Sequence, residues 1–156
     1  RKCSRVGRCM GHQGHVSHLD WATDSQHLRS NSAELEVLFW NATVCRSVRD
    51  PELIRDLTWA SNTCPVSWGA VGVWGEGPDS VDVGSTSRNH ERELLAAGDG
   101  AGRVRLYTFP ASQPKSLFHS NTGHSNAVTR VAWMTEGSKL ISAGGRDTAL
   151  LQWNVS

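Results

Sequence analysis

The chain has 156 residues, 16 basic and 15 acidic side chains, and a formal net charge of +1 at pH 7. That length suffices for one domain with a real core, and the balanced charge offers no general attraction to nucleic acid or membrane. There is no apolar run of about 18 residues, which excludes a helical membrane span, and Arg1-Lys2-Cys3-Ser4-Arg5 lacks the apolar stretch of a secretory signal.

Short Val, Leu and Trp runs alternate with Gly, Asn, Asp and Ser, which predicts strands and tight turns. Residues 1–9 read as a strand ahead of a Gly-His loop. Residues 15–21, 28–30 and 36–40 follow as three strands, with 43–48 as a fourth. Residues 51–57 can start one helical turn, with Asp50 as cap and Pro51 at the first helical position. They open an insertion over 50–78 that carries Trp59, Trp68 and Trp74 among Gly, Ser and Pro. Residues 80–83, 94–98, 103–107 and 116–119 read as the next four strands, and the polar stretch 84–93 as a mobile loop. Residues 127–133, 139–143 and 149–153 read as three further strands, with no fourth after them.

Two stretches repeat. Gly11-His12 is followed by Val16, Leu19, Asp20 and Trp21. Gly123-His124 is followed by Val128, Val131, Ala132 and Trp133. Each copy runs on to a second Trp that closes an apolar run, Trp40 in one and Trp153 in the other. A repeat with these landmarks is a WD-type propeller blade. Seven Trp beside one Tyr and three Phe fit a fold that reuses Trp at a fixed repeat position. The expected fold is all-β: WD40-type β-propeller blades, about three of them. The expected division is an outer strand of a preceding blade over 1–9, a blade over 10–49, a blade with insertion over 50–119 and a last blade over 120–156. Propellers typically use four to eight blades, and an open stack leaves sheet edges unpaired. The expectation is therefore an incomplete propeller, the C-terminal piece of a larger protein whose remaining blades are its first partners.

In such repeats a His, a strand hydroxyl, a turn acid and the closing Trp lie between blades, where their polar groups must be satisfied. The first block offers His12, Ser30, Glu34 and Trp40. The last offers His124, Asp147 and Trp153, with Ala143 at the expected hydroxyl position. The middle block has Ala97, Ala101 and Tyr107, so the network is expected to be lost there.

Catalytic and metal readings are weaker. A His-Asp-Ser hydrolase lacks the Gly-x-Ser-x-Gly elbow, and the repeat explains the same residues. His12, His15 and His18 resemble a metal cluster, but a spacing of three puts strand neighbours on opposite faces. Gly98-Asp99-Gly100-Ala101-Gly102 lacks the Lys-Ser/Thr of a phosphate loop and reads as a tight turn. Arg1, Lys2, Arg5 and Arg8 form a local basic patch of the kind a solvated outer strand carries. No catalytic residue, metal or cofactor is expected. The four cysteines read as reduced and intracellular. There is no Cys-x-x-Cys; Cys3 and Cys9, roughly 20 Å apart on an extended strand, are too distant to bridge; and Cys45 and Cys64 have no motif around them. The sequons at Asn41 and Asn154 read as chance.

The phrases Arg5-Val6-Gly7-Arg8-Cys9, Gly11-His12, and His18-Leu19-Asp20-Trp21 resemble the echinoderm microtubule-associated-protein-like family. So do the insertion Leu57-Thr58-Trp59-Ala60-Ser61-Asn62-Thr63-Cys64, the Gly72-Val73-Trp74 that follows, the Ser80-Val81-Asp82 stretch, and the ending from Ser142-Ala143-Gly144-Gly145-Arg146-Asp147 to Leu151-Gln152-Trp153. The resemblance covers nearly the whole chain, and the Trp-Ala-Ser-x-Thr-Cys insertion is its most specific part. It implies the last blades of the second of two tandem propellers that engage tubulin. It also implies a non-catalytic interaction module on cytoplasmic microtubules, the spindle included. The family's coiled coil and basic segment, which supply oligomerisation and most lattice binding, are absent from this sequence. Departures at Gln13-Gly14-His15 and Ala33-Glu34 lie near the presumed binding face. That face, made by the loops entering the inner strands and by the turns between second and third strands, is expected to carry Gln13, His15, Ser125, Asn126 and Arg146. A generic WD adaptor, such as a ubiquitin-ligase substrate receptor or peptide reader, is the alternative. No nucleic-acid or membrane partner is expected.

Overall fold

The computed structural model describes residues 2–75 and 81–156, which form three antiparallel sheets and two short helices. The expected ends of the insertion and of the strand beginning at Ser80 lie partly outside the described residues. The chain divides into two compact units, Arg1–Cys64 and Pro65–Ser156.

The first unit holds one four-stranded sheet, β1 (Val16–Trp21), β2 (His27–Ser32), β3 (Val37–Asn41) and β4 (Arg46–Val48), paired in that order. A helix, α1 (Pro51–Asp56), follows. Its Asp50 cap accepts from the Glu52 N–H at 3.0 Å, satisfying a backbone donor that a helix start leaves orphaned. Leu57 ends the helix in an extended conformation. The chain then returns along β1: Thr23 N–H donates to Thr58 O, and Ala60 N–H to Trp21 O, each at 2.9 Å. Residues 2–9 form no strand. An extended segment becomes a strand only on a ladder partner, and none pairs with it among the described residues.

The second unit holds β5 (Val83–Asn89), β6 (Leu94–Asp99), β7 (Arg103–Thr108) and β8 (Phe118–Thr122) in one sheet, and β9 (Val128–Trp133), β10 (Lys139–Gly144) and β11 (Leu150–Asn154) in another. The β6 strand is buried on both faces, which is why its apolar residues run without interruption. Leu95 and Ala97 join Tyr107, Val83 and Ala111 beneath a 3-10 helix, Trp68–Val73. Ala96 faces the other way, into a second cluster with Val104, Val128, Val131 and Leu140 between the two sheets.

The stretch 84–93 is not a mobile loop. Most of it is β5, and Ser85 and Thr86 are each 1% exposed. Ser85 Oγ accepts the Val131 N–H at 3.2 Å, and Ser87 O accepts the Trp133 indole at 2.9 Å. The polar side chains of this strand serve sheet packing, so polarity did not signal exposure. Residues 81–82 lie outside the strand, which begins at Val83.

Candidate functional site

The two Gly-His stretches build the same buried arrangement on different sheets. In the first unit His12 Nε2 lies 2.6 Å from Ser30 Oγ, and the Trp40 indole N–H donates to that oxygen at 2.8 Å. In the second unit His124 Nε2 lies 2.8 Å from Ser142 Oγ, and Trp153 N–H donates to it at 2.8 Å. The other ring nitrogen of each histidine faces a carboxylate: His12 Nδ1 is 3.2 Å from Glu36 Oε2, and His124 Nδ1 is 2.7 Å from Asp147 Oδ2. One proton arrangement satisfies every group with a neutral imidazole: Nδ1–H donates to the carboxylate, the serine O–H donates to Nε2, and the indole donates to the serine. The glycine before each histidine lets the closing Trp pack close, since a Cβ on Gly123 would fall 2.8 Å from the Trp153 ring.

Sequence counting misplaced two members. The acid at His12 is Glu36, while Glu34 is exposed. Glu36 Oε2 also accepts the Gln13 N–H at 3.0 Å and the Ser32 hydroxyl at 2.8 Å. Those two bonds, then His12, hold its carboxyl below the usual range. Glu36 follows Leu35, the left-handed residue of its turn, whereas Asp147 precedes its counterpart Thr148. The longer glutamate reaches back where the shorter aspartate need not. In the last block the hydroxyl is Ser142, fully buried, and not the residue at Ala143. The turn before Trp153 is one residue longer than that before Trp40, so a fixed offset from the Trp lands one residue late. Burial acts to raise the pKa of Asp147, but the His124 and Ala149 hydrogen bonds outweigh it and leave it lowered.

An Asp-His-Ser order of contacts resembles a hydrolytic triad, but the geometry disarms it. Ser142 is 0% exposed, and its oxygen already receives an indole N–H. A nucleophile needs an open approach beside oxyanion donors. Among the described residues no group of three His, Cys, Asp or Glu is placed to hold a metal ion. His12 is engaged as above, and His18 Nδ1 lies 3.0 Å from Ser17 Oγ.

The middle sheet lacks the histidine and the Trp, but it has a polar lock that the sequence reading missed. Asp99, 1% exposed, accepts from Arg103 Nε at 2.8 Å and from the N–H groups of Ala101 and Arg103 at 2.9 and 3.0 Å. Arg105 Nε sits 3.0 Å from the same carboxylate, and its guanidinium lies over Phe118. An aspartate in a glycine-rich turn followed by two arginines was the available signal.

A second missed centre joins the repeat to the insertion. Asp20, 0% exposed, accepts from Arg29 Nε at 3.0 Å, Ser61 Oγ at 2.6 Å, Thr63 N–H at 2.8 Å, Thr63 Oγ1 at 2.9 Å and Cys64 N–H at 3.1 Å. Arg29 donates on to Asn62 Oδ1 at 2.9 Å and stacks 4.4 Å over Trp59. Burial works to raise the pKa of Asp20; Arg29 and the Ser61, Thr63 and Cys64 donors overcome it and leave it lowered. Burial also drives the Cys64 thiol well up, with the Asp20 charge adding to it. Both Asp20 and the Trp-Ala-Ser-Asn-Thr-Cys stretch stood out in the sequence, but nothing in it joined them.

The five expected surface residues, Gln13, His15, Ser125, Asn126 and Arg146, are all exposed. In the second unit, Gly145 N–H donates to Ala127 O at 3.0 Å, which sets the Arg146 turn beside the Ser125-Asn126 loop. The Gly102 turn (φ +80°) packs on the backbone of His124 and Asn126. Asp147 therefore holds His124 inward while Arg146 points to solvent. Gln13 and His15 belong to the first unit, where the Gln13 backbone is tied to Glu36.

Comparison with known proteins agrees with this architecture. Residues 1–155 match the family model described as the echinoderm microtubule-associated protein second beta-propeller. The chain is 41% identical over 155 residues to echinoderm microtubule-associated protein-like 2 of Homo sapiens, covering 99% of this chain and 24% of that protein. It is 45% identical to echinoderm microtubule-associated protein-like 1 of Mus musculus, covering 99% and 19%. The chain thus spans about a quarter or less of the length of these relatives. Among solved structures, the computationally designed Ika4 protein superposes with a TM-score of 0.57 at 12% identity, covering 99% of this chain and all of that one. At that identity the likeness bears on fold alone.

Proposed function

The chain belongs to the echinoderm microtubule-associated protein family, as part of its second β-propeller, and on that premise we propose that it is a non-catalytic interaction module whose loop face contacts tubulin. The observation that carries the proposal is the Arg146 turn: an exposed cation next to a buried Asp147–His124 pair that fixes the turn. A guanidinium carried on a fixed turn suits an acidic protein surface through charge-assisted hydrogen bonds. Ser125 and Asn126 supply further polar contacts beside it, and Gln13 and His15 are the corresponding candidates on the first unit, taken by itself. The polar network at His124 serves to hold this turn, and the one at His12 holds the Gln13 loop of its own unit. We take the blades as 10–49, 50–119 and 120–156, with 1–9 becoming the outer strand of a preceding blade only when that blade pairs with it, and the place of work as the cytoplasmic microtubule cytoskeleton.

The test is Arg146→Glu in the full-length protein, read by tubulin-dimer pull-down beside microtubule co-sedimentation. Weaker dimer binding with an unchanged melting temperature supports the proposal. Wild-type binding at low salt removes this face from the tubulin site and favours a generic WD adaptor.

A further inference from the structure

Four cysteines are free, and two of them meet although 36 positions separate them. Cys45 sits in the turn between β3 and β4 with a left-handed backbone, φ 52°. Its thiol donates to Ala42 O at 3.6 Å. The segment before the first Gly-His runs past this turn. Gly7 lies so close to the Cys45 sulfur that no side chain fits there, and a Cβ on Gly7 would come 3.1 Å from the Cys45 Cβ. Four residues later Gly11 lies against Leu38 and Trp40 of β3. Cys9 lies between these two anchors, two residues past the Gly7 that packs on the Cys45 sulfur, close enough for the two thiols to interact. Both residues are partly exposed, so a small oxidant can reach them. Cys3 is exposed, six positions before Cys9, and Cys64 is buried beneath Asp20.

We propose that Cys9 and Cys45 are a redox modification site, a dithiol that a small-molecule disulfide such as oxidised glutathione converts to an internal disulfide. The exchange proceeds in two steps. A thiolate of the pair attacks one sulfur of oxidised glutathione, forming a protein–glutathione mixed disulfide and releasing one glutathione thiolate. The second protein thiolate then attacks the protein sulfur of that mixed disulfide and releases the other glutathione thiolate. The protein loses two protons and two electrons, and one oxidised glutathione becomes two reduced molecules. The product ties the segment leading into the Gly-His loop to the β3–β4 turn. Burial, and then the neighbouring Cys45, push the Cys9 thiol up, so it is largely protonated at neutral pH and the exchange accelerates as pH rises.

The experiment treats the reduced full chain with oxidised glutathione, quenches in acid and maps tryptic peptides without reduction. The expected product is peptide 9–29 joined to peptide 30–46, lighter by two hydrogens than their sum. Cys9→Ser and Cys45→Ser should each abolish it and leave the remaining cysteine carrying glutathione. The same treatment in concentrated urea should distribute glutathione over all four cysteines. Separate glutathione adducts on Cys9 and Cys45 in the folded wild type, a link from Cys9 to Cys3, or a link as abundant in urea as in the folded chain would each overturn the proposal.

Discussion

Trp153 donates its indole N–H to Ser142 Oγ at 2.8 Å, the separation at which Trp40 meets Ser30 in the other unit. In both places one hydroxyl is the middle link of a chain that runs from carboxylate to imidazole to indole. Its loss would orphan two ring nitrogens at once.

Ser142→Ala is expected to destabilise the chain by about 1–3 kcal/mol, the cost of leaving buried polar groups unsatisfied. Ala143→Ser should recover none of this, because position 143 faces the other side of the strand. Urea unfolding of the two variants beside wild type measures the difference. Equal midpoints for Ser142→Ala and wild type would remove the hydroxyl from the network.

Trp40 is 3% exposed, so Trp40→Ala removes a large buried ring as well as a donor. A loss of about 3–5 kcal/mol is expected, comparable with the whole stability of a small domain. The product should be insoluble or unfolded. Trp153, partly exposed on β11, should cost less when cut to Ala. Wild-type-like thermal melts for Trp40→Ala contradict its core role.

Glu36 and Glu34 give a paired test. Glu36→Gln weakens the acceptor shared by His12, Gln13 and Ser32 and should lower the melting temperature; Glu34→Gln should leave it unchanged. The reverse ranking would restore the assignment expected from sequence.

Asp20 sets an acid limit. Its pKa is lowered in the folded chain from an ordinary value of 3.8, so the folded state binds fewer protons than the unfolded one in that range. Its stabilisation is complete above about pH 4 and is lost as pH falls through the lower folded value. Asp20→Asn should therefore destabilise the chain at neutral pH and flatten the acid limb of stability against pH. Denaturant midpoints from pH 6 down to pH 3 measure both, and a parallel acid limb in the variant contradicts the role.

Arg146 acts from the surface, so its contribution to tubulin association is expected to fall with ionic strength. The deficit of Arg146→Glu in association rate should be largest at low salt and shrink as salt rises. A deficit independent of salt points to a change in the turn itself.

Some of this was present in the linear chain, because it rests on local periodicity. Two Gly-His stretches, each closing on a Trp, define blades, since glycine, imidazole and indole must meet in every copy. Asp50 and Pro51 announced the helix start because capping is local. The polar strand at 83–89 was hidden for the opposite reason: its hydroxyls are buried by β9, more than forty residues away. Glu36 in place of Glu34 was decided by where the left-handed residue falls in a turn, which composition does not encode. The junction of Asp20 with Ser61, Thr63 and Cys64, and of Cys9 with Cys45, needed the chain to fold back on itself. Spacing along a chain fixes which groups share a strand or a turn. Which distant groups meet depends on how sheets and returning segments pack, and only the tertiary structure sets that.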